Sequence, residues 1–207
     1  YAYDAEGNLV EKREPGGRVW RYSWNAAGML ETVTRPDGSE VRFVYDPLGR
    51  RIQKTYRGQT TRWVWDGNNP LHEWVEGELE PLPNEGAATP LWSADPQIKK
   101  REAELEALLS QGPPERGSLE APITWLFEPE SFAPMAKLVG GQQFSIITDH
   151  LGTPVLPADA RGAAVWSASI SAYGELRELE GDRYACPFRW PGQYADAETG
   201  LYYNRFR

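Results

Sequence analysis

The sequence predicts an all-β chain: an antiparallel hairpin meander interrupted by one short helical insertion. Three observations carry that reading. A phrase recurs at an interval of about 21 residues, first as Tyr3-Asp4-x-x-Gly7-x-Leu9, then as Trp24-Asn25-x-x-Gly28-x-Leu30 and Tyr45-Asp46-x-x-Gly49-x-Arg51. A worn copy follows at Trp65-Asp66-Gly67. Between these corners lie Pro15-Gly16-Gly17, Pro36-Asp37-Gly38 and Arg57-Gly58-Gln59, which are turn chemistry. The runs between turns alternate and are rich in aromatic and β-branched residues, the signature of half-buried strands.

Each element follows from local chemistry. The side chain of Asp4, Asn25 or Asp46 can accept from the backbone ahead and start a turn, and Gly7, Gly28 or Gly49 tolerates the positive φ that closes it. In Val19–Trp24 the aromatics Trp20, Tyr22 and Trp24 share one face. Val41, Phe43 and Tyr45 do the same, as do Trp63 and Trp65. Residues 1–75 therefore read as hairpins, with Tyr3, Trp24, Tyr45, Trp63 and Trp65 expected to pack in the sheet. A row of exposed aromatics would instead suit sugar binding, but rings recurring with the turn period fit cross-strand packing better.

Residues 76–122 break the pattern with Pro81, Pro83, Pro90, Pro96, Pro113 and Pro114. Asp95 can cap a helix over about 96–109, with Pro96 in its first turn and Ile98, Leu105, Leu108 and Leu109 on one face. Strands resume over 123–207, at 123–127, 144–148 and 164–170. Corners return at Asp149 to Gly152, at Asp159 to Gly162 and at Asp196 to Gly200, and Trp166 is a further expected packing aromatic. The run from Gly200 to Arg207 reads as a last strand with no closing turn. The chain opens inside a repeat copy and ends in that strand, which implies a piece excised from a longer chain.

Bulk properties narrow the function. The 207 residues carry nine Trp, ten Tyr and a formal net charge of −8, an acidic balance that argues against a nucleic-acid partner. Cys186 is the single cysteine, so no internal disulfide forms. No apolar run reaches the roughly 20 residues that span a bilayer, and no signal peptide is present. His72, His150 and Cys186 supply no metal-ligand spacing and no nucleophile motif. Glu128 and Glu130, near Trp125, are one candidate carboxylate pair for hydrolysis, and surface abundance explains them better. No phosphate loop occurs between a strand and a helix. No catalytic residue, cofactor or metal is expected.

The chain resembles the Rhs/YD-repeat family. The early copies match its Tyr-Asp repeat, and "WLFEPESFAPMAKL" from Trp125 resembles the phrase ahead of its core-end motif. "TDHLGTP" from Thr148 with "DARGAAVWSASISAYGEL" resembles the Rhs motif, and "PFRWPGQYADAETGLYYNRFR" from Pro187 the segment closing the family's core. The resemblance implies part of a curved β-shell, wound from hairpins, that encapsulates a C-terminal toxin in bacterial competition, including type VI secretion. It implies as partners the remaining shell strands, the toxin domain and secretion spike proteins. It also implies residence in the bacterial cytoplasm before export as part of a secreted or surface effector. The family's self-cleaving protease motif and toxin would lie beyond residue 207, so the expectation is a scaffold and not an enzyme. Two alternatives are a carbohydrate- or receptor-binding surface module and a latent self-cleaving or hydrolytic enzyme.

Overall fold

One side-chain oxygen of Asp or Asn builds most of the corners. Asp46 Oδ1 accepts the backbone N–H of Leu48 and of Arg50, both at 2.9 Å, while the backbone closes through Asp46 N–H to Arg50 O and Gly49 N–H to Asp46 O. Asn25, Asp149 and Asp159 repeat this arrangement at their own corners. Asp4 takes the Asn8 N–H at 2.7 Å in the same way. The glycine ending each corner, from Gly7 through Gly28, Gly49, Gly152 and Gly162 to Gly200, has φ between 68 and 86°. A side chain there would meet the left-handed penalty, which explains why glycine recurs with the period. At Gly200 the corner differs in detail: Gly200 N–H bonds Asp196 O at 2.8 Å, and the Thr199 hydroxyl accepts from Leu201 N–H.

The computed structural model describes residues 1–80, 121–170, 176–181 and 185–206. The expected helix over 96–109, and most of the 76–122 insertion, lie outside them. The corners link β1 (Ala2–Tyr3), β2 (Leu9–Arg13), β3 (Val19–Trp24), β4 (Leu30–Thr34), β5 (Glu40–Tyr45), β6 (Arg51–Tyr56), β7 (Gln59–Asp66) and β8 (Asn69–Glu76). Then come β9 (Ile123–Phe127), β10 (Pro134–Val139), β11 (Gln142–Thr148) and β12 (Pro154–Asp159). These form a single twelve-stranded antiparallel sheet in strict chain order. It runs across the insertion, because β8 pairs β9 through His72↔Thr124 and Glu73↔Ile123. Two hairpins complete the chain: β13 (Trp166–Ile170) with β14 (Leu176–Gly181), and β15 (Gln193–Asp196) with β16 (Leu201–Asn204).

The structure departs from the sequence pattern in where the last strand ends and in strands the pattern does not mark, β10, β12 and β14. The last strand stops at Asn204, whose side chain accepts the Phe206 N–H and turns the backbone. β12 contains Pro154 and Pro157, which mask it as a strand; it is an edge strand, where a missing N–H costs no ladder bond on the open side. No helix occurs among the described residues, and none there is long and apolar enough to cross a membrane.

One face of the sheet is dry. Tyr22, Val33, Val41 and Phe43 form one buried cluster under the early strands. Trp63, Trp125, Ile146, Trp166, Cys186, Phe188 and Tyr194 form a second. The β15–β16 hairpin lies against this face: Leu201 packs on the first cluster, and Tyr194 and Tyr203 belong to the second.

Candidate functional site

The aromatic that opens each repeat does more than fill space. The Trp24 indole N–H donates to Leu9 O at 2.8 Å, the Tyr45 hydroxyl to Leu30 O at 2.9 Å, and the Trp65 indole N–H to Arg51 O at 2.8 Å. Each bond runs from one copy to the last residue of the preceding phrase, at sequence separations of 15, 15 and 14. It satisfies a carbonyl at the strand start, where the ladder is interrupted by a bulge such as Ser23/Trp24 or Val44/Tyr45. Trp and Tyr have a polar tip for this bond and Phe has none, so the ladder explains the residue choice. Trp63 and Trp166 are buried packing residues at 4 and 2 % exposure. Tyr3 is the exception: it sits on the two-residue edge strand, 62 % exposed, and is not a packing residue within the described chain.

The second feature is a buried charge cage. The third repeat copy carries Arg51 and Lys54 where the second has Leu30 and Val33. Both cations lie on the dry face, with side chains 3 and 7 % exposed. Their carboxylates come from the C-terminal hairpin and its turn. Arg51 Nη1 donates to Asp196 Oδ2 at 2.5 Å, and Lys54 Nζ donates to Asp196 Oδ1 at 3.2 Å and to Glu198 Oε2 at 2.9 Å. The Arg51 guanidinium is ringed by Trp63 at 4.6 Å and Phe43 at 5.4 Å from the sheet, and by Tyr203 at 4.4 Å and Tyr194 at 5.2 Å from the hairpin. The Tyr203 hydroxyl accepts the backbone N–H of Arg51 at 3.0 Å. Arg35 reaches the Glu198 carbonyl from β4's end.

Electrostatics follow from this geometry. Burial opposes the charge on Arg51 and Lys54, but Asp196 in the first case and Glu198 with Asp196 in the second outweigh it, holding both cations above their usual ranges. Burial likewise opposes the Glu198 carboxylate, and Lys54 overcomes it and holds the group below its usual range. Burial pushes the Tyr45 phenol up to about 12.

Next to the cage, Glu73 is 2 % exposed. It accepts the Tyr194 hydroxyl at 2.8 Å and the Trp125 indole N–H at 3.1 Å, tying β8, β9 and β15 together. An apolar hollow among Trp65, Pro70, Phe127, Phe132 and Phe188 has room for about 20 Å³, the size of one water molecule and far below a ligand.

The other sequence candidates are scattered. Cys186 is fully buried, and burial pushes its thiol up to about 11, which opposes thiolate chemistry. His72 Nδ1 pairs with Thr124 Oγ1 at 3.0 Å across β8 and β9, and His150 is exposed in the Asp149 corner. Glu128 and Glu130 are exposed in the β9–β10 turn, where Glu130 has φ 56°. No group of three potential metal ligands occurs among the described residues. The sequence marks Asp196 only as a corner and Arg51 only as the end of a repeat phrase, and it gives Lys54 and Glu198 no role. The available signal was the change from Leu-x-x-Val to Arg-x-x-Lys between repeat copies.

Similarity to known proteins agrees with the geometry. The RHS Repeat family model matches residues 3–40. Toxin protein Tse5 of Pseudomonas aeruginosa is 34% identical across the whole chain, and double-stranded DNA deaminase toxin A of Burkholderia cenocepacia is 30% identical across the whole chain. The chain spans only 16% and 14% of those two proteins. Among solved structures, the Photorhabdus luminescens Tc holotoxin pore superposes over 99% of the chain and 9% of its own, with a TM-score of 0.61 and 18% identity. TcdB2-TccC3 without its hypervariable C-terminal region superposes over 89% of the chain and 8% of its own, with a TM-score of 0.55 and 17% identity. These likenesses are of fold: an all-β antiparallel meander within a β-shell.

Proposed function

The chain belongs to the Rhs/YD-repeat family, and on that premise we propose that it is a non-enzymatic length of shell wall that helps enclose a C-terminal toxin. The carrying observation is the twelve-stranded meander with one dry face, closed by a hairpin from residues 193–204. Within the twelve-stranded sheet every strand pairs with its chain neighbour, so the wall extends by adding hairpins; its terminal strands are β1 and β12, the latter partly covered by the returning chain through Val165 N–H to Pro157 O. The partners on this reading are the remaining shell strands at those edges, the toxin within, and secretion spike proteins outside, with residence in the bacterial cytoplasm before export. Residues 76–122 are an insertion in the wall. The names of the relatives, a toxin and a deaminase toxin, support a toxin-bearing parent.

A pull-down with intact-mass analysis from the native host tests this. Co-purification with further repeat strands and a protease-protected cargo is expected. A lone stable monomer with no strand partner would overturn it. Against the sugar-binding alternative stand the burial of Trp63 and Trp166, at most 4 % exposed, and the bonds that hold the half-buried Trp24, Tyr45 and Trp65 to backbone carbonyls.

A further inference from the structure

We propose that Arg51 and Lys54, with Phe43 and Trp63, form a binding site for an acidic Asp-x-Glu peptide strand, and that Asp196-Ala197-Glu198 is its ligand in cis. The site is read from the cage alone and stands whether or not the wall encloses a cargo.

Three observations converge. First, the two cations replace apolar side chains of the copy before them, and unlike Lys12 of the first copy, which pairs with Glu14 at the half-exposed edge, they are buried. The preceding copy places Leu30 and Val33 at these positions, and Val33 is fully buried in the neighbouring cluster. A wall needing only to pack would keep them apolar, since a buried ion pair stabilises no better than well-packed apolar side chains. Charge at this point selects a partner.

Second, among the described residues no carboxylate of the sheet pairs with either cation, and Glu73 is taken up by Tyr194 and Trp125. Each ion pair of Arg51 and Lys54 reaches Asp196 or Glu198, more than 140 positions along the chain. Receptor and ligand are thus distinct pieces of chain. The aromatic ring divides the same way, two rings from the sheet and two from the hairpin.

Third, the match has the spacing of a peptide motif. Asp196 bridges both cations with its two oxygens while Glu198, two residues on, reaches Lys54 alone. The Arg35 guanidinium holds the Glu198 carbonyl, so backbone is recognised as well as charge. One carboxylate would leave a cation uncompensated in a dry site, and a segment with neither would leave two.

The test uses the full chain carrying Asp196→Asn and Glu198→Gln, with a labelled peptide of residues 193–204 as probe. Hydrogen exchange of the variant should show the cis hairpin losing protection. Fluorescence anisotropy should then show the acidic peptide binding the variant at least tenfold tighter than it binds the unmodified chain, whose site is filled. The Asn/Gln version of the peptide should bind at least tenfold more weakly, and adding Lys54→Met to the variant should abolish the difference between peptides. A variant hairpin as protected as before overturns the proposal, because charge then does not key the docking. A released hairpin with equal affinity for both peptides, or none for either, overturns it too.

Discussion

The Arg51 guanidinium donates to the Asp196 carboxylate at 2.5 Å, joining the third repeat copy to the C-terminal hairpin across 145 positions of chain. Both side chains are almost wholly buried. Removing one partner strands the other's charge in a dry site. Arg51→Met is therefore expected to cost about 3–5 kcal/mol in a urea denaturation series. Replacing the group together, with Arg51→Met, Lys54→Met, Asp196→Leu and Glu198→Gln, should recover most of that loss. Equal losses for the single and the quadruple variant would show that the charges do not act as a unit.

The cross-repeat ladder predicts an asymmetry among aromatics. Tyr45→Phe keeps the ring but deprives Leu30 O of its donor, and should cost about 1 kcal/mol. Tyr3→Phe, at an exposed edge, should change stability by less than about 0.5 kcal/mol. Thermal melts of the two variants decide the point, and identical shifts would remove the ladder's role.

The corners are not equivalent. Gly28 and Gly49 both have positive φ, 71 and 77°. A Cβ on Gly28 would meet nothing within 4 Å, whereas one on Gly49 would lie 2.8 Å from Met29 Cε of the preceding corner. Gly28→Ala should cost about 1–2 kcal/mol from backbone strain alone. Gly49→Ala should cost more, and the excess should fall when Met29→Ala is added. Chemical denaturation of these three variants and the double variant measures the coupling.

Stability should fall at both ends of the pH range. Cys186 and Tyr45 keep their protons in the folded chain up to about 11 and 12, whereas the unfolded chain releases them near 9 and 10. The folded state then binds more protons, so stability decreases as pH rises from 9 towards 12, with Cys186 contributing on the order of 2–3 kcal/mol. Cys186→Ala should flatten the limb between pH 9 and 11. At the acid end, Glu198 is held below its ordinary 4.5 by Lys54 against the opposing effect of burial, and Asp46 below 3.8 by the Arg50 contacts against the same effect. Their contribution is complete above those ordinary values and is lost as pH falls through the lowered ones. Free energies from denaturation at successive pH values test both limbs, and a flat profile from 9 to 12 would contradict the burial of the thiol.

Residues 1–75 were legible because a 21-residue period puts Asp or Asn, Gly and an aromatic at fixed offsets, and each has a local reason to be there. The proline-bearing β12 was hidden, since edge position, which excuses a missing N–H, is a property of the sheet and not of the strand. The hydrogen bond from Trp24 to Leu9 was hidden as well: the sequence shows a tryptophan recurring, and only the bulged ladder reveals which carbonyl needs it.

Short-range chemistry thus determined the corners, the strands and the antiparallel order of the wall, because turn geometry and alternating faces act within a few residues. The tertiary structure decided where the C-terminal hairpin lies, and with it the cage of Arg51, Lys54, Asp196 and Glu198. Buried charges must find opposite charges wherever the fold brings them, and no local pattern specifies a partner more than 140 residues away.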